Sequence, residues 1–133
     1  MLRRTIALTT IVVRDYDEAI AFYRDKAGFE LLEDTRLGGS KRWVVVSPVG
    51  SGGALLLARA DGEAQTARIG DQTGGRVGFF LHTDDFERDY AAMIANGVRF
   101  IRAPVGEPYG VVAVWEDLYG NRWDLLQPAP DDA

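Results

Sequence analysis

The sequence predicts an α+β fold in which one βαβββ unit is used twice. Three observations predict it. First, Asp15-Tyr16-Asp17-Glu18 opens a helical stretch that stops at Gly28, and Asp85-Phe86-Glu87-Arg88 opens another that stops at Gly97. Second, each stretch follows a β-rich run, Ile6 to Val13 and Val77 to Thr83. Third, each is followed by further strands: Trp43 to Ser47 and Ala54 to Ala58, then Val111 to Trp115 and Arg122 to Gln127. A repeat at this spacing sets the architecture before any motif does. Two copies packed side by side are expected to leave a cavity between them.

The elements follow in order. Ile6 to Val13 is rich in β-branched residues, as strands are. Asp15 or Asp17 can cap the next helix, and Glu18 suits its positive end. Ile20, Phe22 and Tyr23 give it an apolar stripe, and Gly28 a stop. Phe29 to Leu32 is extended again, Gly38-Gly39-Ser40 is a turn, and Pro48 to Gly53 is a loop. Arg59 to Arg76 is polar, glycine-rich and without clear period, which reads as a linker with one helical turn at Glu63 to Ile69. In the second copy a helix spans Asp85 to Asn96 and a strand spans Val98 to Arg102. A loop covers Ala103 to Tyr109, and the turn Asp117 to Asn121 precedes the last strand. The expected division is module one at about 1–60, a linker at about 61–75, module two at about 76–128 and a frayed tail at 129–133.

At 133 residues and 47% hydrophobic content, the chain suits one globular domain. A net charge of −5 argues against nucleic acid, which needs a basic face, and against an anionic membrane surface. With no cysteine, disulfides and thiolate ligands are excluded. No apolar run is long enough to span a bilayer. Arg3-Arg4 before an apolar run resembles a signal peptide. Thr9 and Thr10 interrupt that run, and the pattern recurs at Val77 to Asp85, so a strand and a cytoplasmic protein are expected.

Three segments carry a family resemblance. They are Val12 to Leu31 with its Phe22-Tyr23 helix, Phe80 to Phe86, and Glu116-Asp117-Leu118-Tyr119-Gly120-Asn121-Arg122-Trp123-Asp124-Leu125. Together they resemble the vicinal oxygen chelate superfamily, which includes glyoxalase I, extradiol dioxygenases and bleomycin-resistance proteins. The resemblance implies a curved eight-stranded mixed sheet with helices outside and the ligand on the concave face. It also implies a homodimer, and commonly a divalent metal held by His, Gln or Glu. Fold likeness does not decide among the superfamily's enzymes and binders.

The metal ligands are where this chain departs from the pattern. The family's first-strand positions fall on Leu8 and Gly78, and Ala54 to Leu57 offers no donor. Only Asp124 keeps an oxygen ligand, and His82 is the single histidine, so a two-His-one-carboxylate triad cannot form within one chain. No metal and no other cofactor is expected.

Strand alternation then suggests what lines the cavity. Leu8, Thr10 and Val12 share a face, as do Gly78, Phe80 and His82. Arg122, Asp124 and Leu126 face inward, with Trp123 and Leu125 beneath the helices. Trp115 or its neighbours Val114 and Glu116 contribute from the adjacent strand. Tyr109 lies in a loop that is either a lid or a tight turn. The candidate ligand-binding residues are therefore Thr10, Phe80, His82, Tyr109, Trp115, Glu116 and Asp124. His82 is the candidate acid–base group, or a strand-end histidine bonded to Asp84 or to backbone. Asp124 is a ligand anchor or a salt-bridge partner of Arg122 or Arg102.

Two functions fit. One is a metal-independent small-molecule binder of the bleomycin-resistance type. The other is a lyase, isomerase or dioxygenase-type enzyme using His82 with a carboxylate, or a noncanonical metal site. A structural module with a filled pocket is the plainer alternative.

Overall fold

A computed structural model of the chain describes residues 3–130. Residues 131–133 of the expected tail lie outside the described residues. The chain divides into two compact units between Ile69 and Gly70.

In the first unit, strand β1 (Leu8–Val13) leads into helix α1 (Tyr16–Ala21) and a π-helical turn (Phe22–Lys26). Strands β2 (Glu30–Gly38), β3 (Lys41–Ser47) and β4 (Ala54–Arg59) follow, then a short helix α2 (Glu63–Thr66). The second unit runs β5 (Phe79–His82), α3 (Phe86–Ala95), β6 (Arg99–Glu107), β7 (Gly110–Glu116) and β8 (Arg122–Pro128). The βαβββ order is thus used twice. The strands are hydrogen-bonded as two sheets of four, ordered β1-β4-β3-β2 and β5-β8-β7-β6. In each sheet the first and last strands of the unit pair in parallel, and the remaining pairs are antiparallel.

The helices start where the acidic signals stand. The Asp15 carboxylate accepts from the Glu18 N–H at 2.9 Å, and Asp85 accepts from the Arg88 N–H at 3.1 Å. Each satisfies a helix donor that otherwise lacks a partner. The two helical passages differ by one residue. Thirteen positions separate Asp15 from Gly28, and twelve separate Asp85 from Gly97. The extra residue is taken up by the π turn, where the Ala27 N–H donates to Phe22 C=O at 3.0 Å. Both passages then close alike: Phe29 N–H donates to Tyr23 C=O, and Val98 N–H to Met93 C=O.

One face of each sheet lies under its helix. In the first unit Ile11, Val13, Val44, Val46 and Leu57 are fully buried there. In the second, Trp115 and Leu125 are fully buried and Trp123 nearly so. Arg42 ties α1 to the β2–β3 hairpin. Its guanidinium meets the Asp34 carboxylate at 3.0 and 2.7 Å and Asp17 at 3.0 Å, and it lies over the Tyr16 ring. Hydrogen bonding to Arg42 holds the Asp34 carboxyl below its ordinary value.

β2 and β6 are longer than the sequence suggests, and each carries a bulge at the same place. Leu31 pairs with Val46 but Glu33 with Val45, which leaves Leu32 extra. Phe100 pairs with Trp115 but Arg102 with Val114, which leaves Ile101 extra. A second slip follows in each strand, between Arg36 and Gly38 and between Arg102 and Val105. An inserted residue of this kind swaps the faces of every side chain beyond it. The segment expected to be a loop at Ala103 to Tyr109 is therefore strand through Glu107, and only Pro108 and Tyr109 turn the chain.

Candidate functional site

Pairing register places the candidates of the second unit on the helix-free face of its sheet, in three cross-strand rows. The first row is Arg122, Glu116, Arg99. The second is Phe80, Asp124, Val114, Arg102, and the third is His82, Leu126, Val112, Val105. Alternation on β5, β7 and β8 explains why Phe80, His82, Glu116 and Asp124 share this face. Phe80 is 62% exposed, which leaves an aromatic ring standing free on the face. Val112 and Val114 are buried and form its floor.

Asp124 sits mid-row, half-buried. Burial pushes its carboxyl above the ordinary value, and the Arg102 guanidinium pulls it part of the way back. The unfolded chain holds this carboxyl lower than the folded one does. Folding is therefore penalised above the folded value, and the penalty fades as pH falls towards the unfolded value. Asp124→Asn is expected to raise stability at neutral pH by less than about 1 kcal/mol, and to give no gain at about pH 2.5, below the unfolded value. Thermal melts of the variant and parent at the two pH values check this. A gain that persists in acid would tie the effect to packing instead.

His82 stands one row from Asp124. Among the described residues no hydrogen bond or ion pair joins it to Asp124 or to Asp84. Asp84 accepts from Arg88 at 3.1 Å instead. Nor do Arg122 or Arg102 form a salt bridge with Asp124 among the described residues. Arg122 donates to the Gly75 carbonyl at 2.7 Å.

Two candidates lie elsewhere. Trp115 is fully buried on the helix side, its ring stacked on Trp123 with centroids 4.8 Å apart. Its odd register relative to Val114 and Glu116 puts it there, so those neighbours, and not Trp115, reach the helix-free face. Tyr109 is 57% exposed in the two-residue turn between β6 and β7. Its carbonyl accepts from the Ala129 N–H at 2.8 Å, which pins the turn and disfavours a mobile lid.

Thr10 belongs to the first unit, on the matching face. The equivalent row there is Thr10, Leu56, Val45, Glu33. Comparing the rows, Thr10 stands for Phe80, Leu56 for Asp124 and Glu33 for Arg102. The same frame thus carries different chemistry in each unit. Arg99 and Arg102 are the residues that alternation alone misses. Strict period two would group Arg99 with Ile101 and send Arg102 to the other face; the bulge at Ile101 brings both arginines to one side.

The comparisons with known proteins agree with this frame. The pattern of the glyoxalase/bleomycin resistance protein/dioxygenase superfamily matches residues 5–125. The chain belongs to this superfamily. Within it, the chain is 56% identical over 128 residues to an uncharacterized protein of Shewanella frigidimarina (strain NCIMB 400), covering 95% of each. Among solved structures it resembles UcmS2, with 30% identity, a TM-score of 0.81 and coverage of 94% of this chain and 98% of that one. It also resembles TnmS3, an antibiotic binding protein from Streptomyces sp. CB03234, with 30% identity, a TM-score of 0.76 and coverage of 97% and 99%.

The divalent metal common in this superfamily does not fit the residues present here. The first-strand positions hold Leu8 and Gly78. The residue matching Asp124 in the first unit is Leu56, and the strand partners of the two are Phe80 and Thr10. One carboxylate, with aliphatic, aromatic, threonine and glycine residues at the other positions, is not a coordination set for a transition metal. Among the described residues no three His, Asp or Glu side chains are grouped as a metal site requires. No described helix is long and apolar enough to cross a membrane.

Proposed function

We propose that the protein binds a small, partly aromatic molecule without a resident metal, on the helix-free face of its second sheet, and that it does so as a cytoplasmic homodimer. The observation that carries this reading is the second row. It offers an exposed ring at Phe80, a half-buried carboxylate at Asp124 and a guanidinium at Arg102, in place of a set of metal donors. A flat ring with a few polar anchors is the usual makeup of a ligand site. The likeness to TnmS3, described as an antibiotic binding protein, supports the ligand class.

The enzyme reading draws less support. Proton transfer by His82 needs a placed partner, and among the described residues neither Asp84 nor Asp124 is bonded to it.

Native mass spectrometry of protein purified without chelator tests the proposal together with thermal shift. The expected species is twice the chain mass with no divalent metal. At saturating concentration, at least one member of a panel of aromatic and glycopeptide antibiotics is expected to raise the melting temperature by several degrees. Stoichiometric metal would overturn the metal-free reading. A panel that leaves the melting temperature unmoved would overturn the binding reading.

A further inference from the structure

A cleft of about 610 Å³ opens on the helix-free face of the second unit, and three of the residues that line it are arginines: Arg99, Arg102 and Arg122. Val114 forms its buried floor, and Glu116 is its one carboxylate among the described residues. A protein of net charge −5 here gathers three cations around one anion. Two of the three are already engaged. Arg99 lies 3.7 Å from Glu116, and Arg122 donates to the Gly75 carbonyl. Arg102 makes no hydrogen bond or salt bridge among the described residues, and Asp124 is the carboxylate nearest to it along its row.

The row also sets a length. Phe80 and Arg102 stand at opposite ends of it, three strand spacings apart, or about 14 Å. A molecule whose ring lies on Phe80 and whose acid meets Arg102 must be elongated, and it crosses Asp124 on the way. A carboxylate there accepts a hydrogen bond from a hydroxyl or amine of that molecule.

We propose that the ligand is an elongated, flat organic acid, its anionic group held by Arg102 within the arginine cleft and its aromatic part resting on Phe80. This rests on the binding reading above and names the chemical class of its ligand. Arg102 is suited to the task because a guanidinium grips a carboxylate through two parallel hydrogen bonds, and among the described residues this one has no such partner. Arg99 and Arg122 add field without leaving their own contacts.

The test uses two fluorescent probes of one shape, anthracene-2-carboxylate and the neutral 2-(hydroxymethyl)anthracene, titrated into the full chain and into Arg102→Gln. The expected result is about tenfold tighter binding of the acid than of the alcohol. That preference should weaken as salt rises. In Arg102→Gln the preference is expected to disappear, the acid falling to the affinity that the variant shows for the alcohol. Equal binding of the two probes to the parent protein overturns the inference while leaving a small-molecule binder in place. So does a preference that survives Arg102→Gln. Binding of neither probe also overturns it, and the broader reading then stands or falls on the antibiotic panel.

Discussion

Trp115→Ala is expected to lower the free energy of unfolding by about 3–5 kcal/mol, the range for emptying a buried aromatic site. Trp115 is fully buried and stacks on Trp123, which in turn stacks on Phe79 at 4.9 Å between centroids. One substitution therefore breaks a three-ring pile that joins β7, β8 and β5 beneath α3. Urea titration followed by far-ultraviolet circular dichroism checks it: the midpoint should fall and the slope should hold. Arg102→Gln, on the other face of the same sheet, is expected to change the free energy of unfolding by no more than about 0.5 kcal/mol. A Trp115→Ala cost below about 1 kcal/mol would mean that the ring pile is not the core of the second unit.

The second large effect is expected at Gly70. Its φ is +78°, a region that side chains rarely adopt, and a Cβ there would run into the backbone carbonyl of Tyr119. Tyr119 lies in the closing turn, which is rigid. The Asp117 carboxylate accepts from the Tyr119 and Asn121 N–H groups, each at 2.9 Å, and from the Asn121 side chain at 2.8 Å. Asp117 and Asn121 are both buried, so the turn has little room to yield. Gly70→Ala is expected to cost about 2–4 kcal/mol, combining left-handed strain with overpacking. Gly74→Ala is the control. Its φ is +69°, but nothing lies within 4 Å of the added carbon, so about 1 kcal/mol is expected. Equal costs for the two variants in the same urea titration would show that strain alone decides.

The duplicated frame is legible in the sequence because its signals are local. Asp15 and Asp85 cap, Gly28 and Gly97 stop, and the β-branched runs lie where β1 and β5 form. The face assignments on β1, β5, β7 and β8 follow from alternation, since these strands keep an unbroken ladder. Legibility ends at the bulges. Nothing local in Phe100-Ile101-Arg102 announces that Ile101 is extra. The slip comes from how β6 meets β7, a long-range fact, and it moves Arg102 to the face where the candidate site lies. The length of β6 is hidden for a similar reason. Pro104 and Gly106 read as loop residues, yet an edge strand tolerates both because one side of its ladder has no partner to satisfy. The π turn is hidden too, since it is visible only when the two helices are counted against each other.

The paired bulges have a consequence for how the protein behaves in concentrated solution. β2 and β6 are edge strands of their sheets, and a flat edge is a template on which a neighbouring molecule can add a strand. Each of these edges is broken twice by an inserted residue, and β6 also carries Pro104. A ladder with its spacing interrupted at two points cannot be copied in register by an incoming chain. The inserted residues that redirect side chains along β2 and β6 thus also serve as a guard against fibril growth.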